Sequence, residues 1–370
     1  MIFYNIVFGI LAFLSFVELF SYISGRSKKI IIKITVVILI IFSGFYSGPM
    51  GDYTTYKAYF ENITNSHLTN FQDNRFEYLY ELINVIIHWF TTKYYILRLV
   101  MALIVMGLWY KIYTYWQDEN NKRYALTTLF ILWSLNFGNI FIIRSTVAVS
   151  ICVYSIRYIE GKNLKKFLLS VIIAMGFHTM SIIWAGAYFI FRKSAWKKFY
   201  YIILGLVVLF SNYMAKFVLE IASYLGERIY NSIYSYIMYG ANQTFSVTYD
   251  NRFTTFKALL NIVFLLILFI YVVRRKEKMC TLQNEDRYLN LYLIGSIVYV
   301  IALNSSNALT RAALTYNSAQ YFLLPRMFDL PEIRRNITIK FMTFMLFVTY
   351  LYMRMYMNIN SNAYVPFTLI

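Results

Sequence analysis

The chain has 370 residues, 59% of them hydrophobic and 14% charged, against about 25% charged in an ordinary soluble domain. Its mean hydropathy is +0.53, and the apolar residues fall in runs close to the roughly 20 residues that a helix needs to cross a bilayer core. A soluble enzyme and a disordered protein are excluded. A nucleic-acid binder is excluded too, because the net charge of +18 is dealt out in small Lys/Arg clusters between the runs, as in cytoplasmic loops, rather than gathered on one face.

In chain order the runs predict spans at about 2–24, 30–48, 94–116, 124–141, 144–160, 199–219, 257–274, 287–303, 312–330 and 338–357. The expected fold is therefore all-α: one integral membrane domain over 1–370 with about ten transmembrane helices. Met1–Tyr22 lacks a basic leading region and a small-residue cleavage site, so it reads as the first span and not as a cleaved leader. The segment 167–190 has Gly176-Phe177-His178 at its middle. Reading it as a re-entrant hairpin that turns at His178 keeps Arg192, Lys193, Lys197 and Lys198 inside, and such backbone is tolerated at that depth only where it is buried in protein or lines a wet cavity. With this topology the inner loops outweigh the outer side in Lys and Arg by about two to one, and both termini lie outside.

Two outer loops are long. The first, 49–93, predicts an amphipathic surface helix over 76–87, with apolar Leu79, Leu82, Ile83, Ile86 and Ile87 on one side and Glu77 and Glu81 on the other. The second, 220–256, is Tyr-rich and amphipathic, a lid on the membrane surface. No internal repeat supports an inverted-repeat transporter. Cys152 and Cys280 form no CxxC or Cys/His cluster, so neither a disulfide framework nor a zinc site is expected.

The informative residues are the basic ones on the outer side: Arg75, Arg98, Arg144, Arg228, Arg252, Arg311 and Arg354, with Lys57, Lys93, Lys216 and Lys257. Arginine leads there while lysine leads inside. Lysine suffices for orientation, whereas arginine grips phosphate in a planar, bidentate way. Arginines at the outer leaflet among tyrosines suit a lipid-linked pyrophosphate whose isoprenoid tail lies in the bilayer. Arg144 places a lone guanidinium where two apolar segments meet, which is costly unless it is paired or hydrated, so a functional role is the default; the alternative is an arginine snorkelling to the interface. Arg311 opens a span, where helix N-terminal amides offer a second anion cradle. Arg98, Arg228 and Arg252 are further candidates for diphosphate binding.

For proton transfer there are three candidates. His178 sits at the proposed turn, and imidazole as a class titrates near neutral pH. Asp52 closes Ser47-Gly48-Pro49-Met50-Gly51-Asp52, a tight turn that aims its carboxylate. Glu77 is a second acidic candidate, opposed by the reading of a solvated helix face. His67 and His88 read as interfacial, and three distant histidines make no metal site. No DxD pair, phosphate-binding loop or Ser-His-Asp order is present.

Gly51-Asp52 followed by Tyr53, Tyr56 and Tyr59 resembles the G-D-x-x-x-Y opening of the EpsG family of Wzy-like polysaccharide polymerases. Arg144-x-x-x-Ala148, then Arg157-Tyr158, Lys165, Phe167 and Gly176-Phe177-His178-Thr179-Met180, is similar to its central block. Arg311-x-x-x-x-Tyr316 followed by Leu323-Leu324-Pro325 is similar to its C-terminal arginine motif. The resemblance implies a glycosyltransferase of the bacterial inner membrane, multi-pass and GT-C-like in fold, with its active site facing the periplasm or outside. It would move a growing glycan from undecaprenyl diphosphate to the non-reducing end of a lipid-linked repeat unit, for O-antigen, capsule or exopolysaccharide, without cofactor or metal. Arg144 and Arg311 would grip diphosphate, and Asp52 or His178 would be the base. The partners implied are the lipid-linked donor and acceptor and the bilayer, with a chain-length regulator and a flippase as further candidates and no nucleic acid. Two rivals come from other classes: a lipid-linked oligosaccharide flippase or other transporter, and a membrane acyltransferase modifying surface glycan.

Overall fold

A computed structural model describes residues 2–21, 23–47, 53–63, 76–116, 124–135, 143–192, 285–303, 313, 315–361 and 368–369, with a few isolated positions between 220 and 234. Regular structure among these residues is helical apart from one two-residue ribbon. The chain groups into two compact units, residues 1–182 with 328–370, and residues 183–327.

The first unit begins with α1 (Ile2–Phe20) and α2 (Gly25–Phe45), joined to β1 (Tyr46–Ser47). Then come α3 (Tyr53–Glu61), α4 (Tyr78–His88), α5 (Tyr94–Trp116), α6 (Ala125–Leu135), α7 (Ile143–Glu160) and α8 (Leu164–Met175). α12 (Pro331–Arg335), α13 (Ile337–Ser361) and β2 (Thr368–Leu369) complete it. α1 runs antiparallel to α13, since Phe20 meets Phe341, Phe16 meets Phe344 and Phe8 meets Tyr352 at ring-centroid distances of 6.3, 5.6 and 5.3 Å. It runs antiparallel to α6 as well, with Phe8 against Phe130 at 4.9 Å and Ser15 Oγ donating to Thr127 Oγ1 at 3.0 Å. β2 pairs antiparallel with β1, Tyr46 opposite Leu369 and Ser47 opposite Thr368. The far end of α13 therefore returns to the end of α2.

A buried carboxylate closes the opposite end of these helices. Glu18 accepts from the backbone N–H of Leu126 at 3.1 Å and of Thr127 at 2.7 Å, from Thr127 Oγ1 at 2.9 Å, and pairs with Lys28 Nζ at 2.7 Å. The free amides and positive dipole of the α6 N-terminus need such an anion, and Lys28 makes the group neutral overall. The surfaces are the inverse of a soluble bundle. Ile2, Ile6, Ile10 and Phe13 of α1, Ile30, Ile34, Val37 and Ile41 of α2, and Ile337, Phe341, Met345 and Leu346 of α13 are exposed. Stripes of this size suit lipid contact.

Three helices among the described residues are long and apolar enough to cross a bilayer: Ile2–Phe20, Tyr94–Ile112 and Ile337–Tyr356. The segments expected at 30–48, 144–160 and 287–303 are helical within a few residues but are not among these three. The runs 199–219 and 257–274 lie outside the described residues, as does most of the Tyr-rich loop 220–256.

The second unit contains α9 (Ala187–Arg192), α10 (Glu285–Leu303) and α11 (Gln320–Leu323), the last followed by a 3-10 helix, Leu324–Asp329, that leads out of the unit. The continuous span expected at 312–330 is not formed. The helix breaks at Ser318–Ala319 and tightens around Pro325, whose ring removes a backbone donor and clashes with the preceding turn. Buried Asn317, Ser318 and Gln320 also make this stretch unsuited to lipid on all sides.

The surface-helix expectation needs a second correction. α4 forms where expected, but the side bearing Tyr80, Glu81, Asn84 and Val85 is the buried one, while Leu82 and Ile83 are half-buried and Ile86 is exposed. Glu81 is not on a solvated face. Its carboxylate is needed inside, where Oε1 accepts the Phe76 N–H at 3.1 Å.

Candidate active site

Four segments of the chain meet in the first unit: α3, the start of α4, the first turn of α7 and the turn after α8. The first amides of a helix have no partners of their own, and in α4 two of them are taken by a single carbonyl. Leu79 N donates to Gly176 O at 2.9 Å and Tyr80 N donates to it at 3.2 Å. α8 ends at Met175, so Gly176 O is free to accept them. The approach is close enough that a Cβ on Gly176 would stand 2.5 Å from Leu79 Cγ and Cδ1. Gly176→Ala is expected to cost about 1–3 kcal/mol through overpacking, and a lower melting temperature of the purified protein, with a matching loss of activity, is the readout.

With the α4 amides satisfied from outside, the side chain of Glu77 does not cap its own helix. It turns to three other groups. Glu77 Oε2 accepts from Arg144 Nη1 at 2.5 Å. Glu77 Oε1 accepts the Thr179 backbone N–H at 3.2 Å and lies 3.6 Å from His178 Nδ1. Arg144 is in the first turn of α7; its Nε donates to Tyr56 Oη at 3.1 Å, and its guanidinium carbon lies 4.5 Å from the centre of the Phe76 ring. The side chains of Arg144, Glu77 and His178 retain 22%, 16% and 21% of their surface. All three remain reachable from outside while most of each is shielded from water.

An aromatic box holds the guanidinium. Phe76 packs edge-on against Tyr56, Tyr59 and Tyr80 at 5.4, 4.7 and 5.5 Å. Stacking of a cation on such faces contributes about 0.5–2 kcal/mol, and it fixes the plane of the fork. Burial first, then the neighbouring Glu81 carboxylate, pushes the Tyr59 phenol up from its ordinary value, and burial pushes Tyr80 up as well. Both stay neutral hydroxyls near pH 7 and neither serves as a base. Of the five guanidinium N–H groups, Tyr56 and Glu77 engage two. Nη2 makes no hydrogen bond among the described residues and is available to a ligand.

Of the residues expected from sequence, Arg144, Glu77 and His178 come together. Arg98 is buried on α5, where Nη2 donates to Ser43 O at 2.7 Å near the end of α2 and the guanidinium lies 5.3 Å from the Tyr53 ring. Asp52, Arg228, Arg252 and Arg311 lie outside the described residues. Among the described residues no group of three His, Cys, Asp or Glu side chains converges as a metal site would require. Sequence reasoning missed Phe76, Tyr80 and Glu81 as parts of the site. One available signal was the adjacency of Phe76 and Glu77, an aromatic beside a carboxylate at a helix start. Tyr56 was visible as the tyrosine of the G-D-x-x-x-Y stretch, but its partner was not.

Apolar helices with lipid-suited faces and a half-buried ionic cluster at their end define a polytopic membrane protein. A family model, EpsG family, matches residues 29–369, and the chain belongs to the EpsG family, a Wzy-like polymerase family. No curated protein and no solved structure matches it.

Proposed function

We propose that the protein is a polysaccharide polymerase that transfers a growing glycan from undecaprenyl diphosphate to the non-reducing end of a lipid-linked repeat unit at the outer face of the cytoplasmic membrane. The observation that supports this most is the meeting of two motif stretches in one place: Tyr56 of the first, and Arg144 with Gly176 and His178 of the central block, held together through Glu77. In the proposed reaction the acceptor hydroxyl gives its proton to His178 and its oxygen bonds to the anomeric carbon of the donor glycan. The bond from that carbon to the diphosphate breaks, and the diphosphate leaves with the electron pair. Arg144 holds the charge that develops on it, with Arg311 as the second guanidinium assigned by its motif. Arg98, Arg228 and Arg252 remain subsidiary candidates, and Asp52 is the alternative base.

Glu77 is a positioning residue in this scheme. A carboxylate already paired with a guanidinium is a poor base, but it orients both Arg144 and the imidazole of His178. Glu77→Gln is expected to lower polymer formation about tenfold and to move the pH dependence of the rate. A purely structural Glu77 would lower the yield and leave that profile in place.

The deciding experiment supplies the purified protein in detergent with lipid-linked repeat units. Polymer should form with no sealed membrane present. If the units are recovered unchanged, whereas vesicles holding the protein move them across the bilayer, the polymerase reading is lost to transport; transfer of an acyl group onto the glycan would replace it with an acyltransferase.

A further inference from the structure

Three buried or half-buried arginines stand toward the same end of the first unit. Arg98 is one turn into α5 and tied to the end of α2, Arg144 is in the first turn of α7, and Arg354 is near the end of α13, which β2 leads back to β1 after α2. Arg98 and Arg144 have protein partners. Arg354 differs. It is 6% exposed, its Nε and Nη1 atoms are buried without a hydrogen bond, and it forms no ion pair among the described residues.

That combination calls for a ligand. A guanidinium stays charged in any protein environment, so Arg354 cannot relieve its burial by losing a proton. It lies in a stretch apolar enough to span the bilayer, Ile337–Tyr356, where an uncompensated charge is expensive and ordinarily marks a partner. Tyr350, one turn earlier on the same helix, is buried as well and offers no negative charge. The depth along α13 is set by Tyr352, whose hydroxyl donates to Asn5 Oδ1 at 3.3 Å, three residues past the start of α1. Arg354 is therefore within about a turn of the boundary of the apolar layer, where phosphate groups of lipids reside.

We infer that Arg354 holds a phosphate oxyanion supplied by a membrane lipid, through the Nε and Nη1 donors that the described protein leaves unused. The shared chemistry is a phosphate monoester, diester or diphosphate on an apolar tail; its source is either a phospholipid headgroup or an isoprenoid diphosphate. This inference does not rest on the polymerase reading, since it concerns binding and not transfer.

The test uses the full-length protein, stripped of lipid in a phosphate-free maltoside detergent, and measures melting temperature against added phosphatidylglycerol, undecaprenyl diphosphate or diacylglycerol, the last as a tail without phosphate. The wild type should be stabilised by at least one phosphate-bearing lipid and not by diacylglycerol. Arg354→Gln should weaken the apparent affinity about tenfold or more, and Arg354→Lys should retain part of it. A shift with phosphatidylglycerol alone assigns the headgroup, and a shift with undecaprenyl diphosphate alone assigns the isoprenoid; equal shifts assign any lipid phosphate. A second variant guards against misfolding: in lipid-free detergent Arg354→Met should melt no lower than wild type, because it removes an uncompensated charge. Equal responses of wild type and Arg354→Gln to both lipids, or a large loss of stability in Arg354→Met without lipid, would overturn the inference.

Discussion

Arg144→Ala is expected to abolish long-chain surface polysaccharide while the protein still inserts into the membrane. Loss of one preorganised donor to a developing anion costs on the order of 10²–10³ in rate, and here the same side chain also carries Tyr56 and Glu77. Arg144→Lys should restore little, because an ammonium is a single point donor and lacks the planar fork whose separate nitrogens reach Tyr56 and Glu77 while a third faces a phosphate. The measurement is a gel ladder of surface glycan beside an immunoblot of the membrane fraction. Arg311→Ala should behave alike if its motif role is right. A full ladder from Arg144→Ala would remove this residue from the mechanism.

Gly295→Val is expected to be the most destabilising substitution in the second unit. On α10, a Cβ at Gly295 would stand 2.8 Å from both the Asn317 backbone N and Tyr316 Cβ and would clash with Asn317 Oδ1. Close approach of helix backbones at small residues is how membrane helices pack, and backbone cannot yield as a flexible side chain does. The strain should reach about 3 kcal/mol, seen as a marked fall in melting temperature and in monodisperse protein. The consequence extends to the third motif stretch. Its Tyr316 hydroxyl donates to Ile183 O at 2.6 Å and its ring packs on Trp184 at 4.9 Å, so displacing 316–317 disturbs the segment that follows Arg311.

The two corrections made to the sequence reading have one origin. Run length predicts the span at 312–330 and apolar periodicity the surface helix at 76–87, and neither signal reports what surrounds a segment. In 312–330 the buried polar residues Asn317 and Gln320 and the Pro325 break outweighed the apolar run. In α4 the periodicity placed Glu81 on an outer face, because a carboxylate in isolation belongs in water. The folded protein supplies Phe76 N–H and the Tyr59 neighbourhood instead, and the polar side turns inward. The break at Gly176–His178, by contrast, was legible locally, since a glycine and a histidine interrupt an otherwise apolar 24-residue stretch where α8 ends.

What the sequence alone determined follows from properties that need no neighbours: that the chain lives in a membrane, where three helices of bilayer length fall among the described residues, and that Arg144 and His178 are out of place among apolar residues. Run length and charge decide these wherever the segment comes to rest. Tertiary structure alone decided that Glu77, 67 residues before Arg144, is the group that meets it, that Arg98 is spent on the end of α2, and that Arg354 is buried with donors to spare. Those outcomes depend on which helix ends arrive side by side, and a guanidinium takes its role from the acceptors that packing brings within about 3 Å of it.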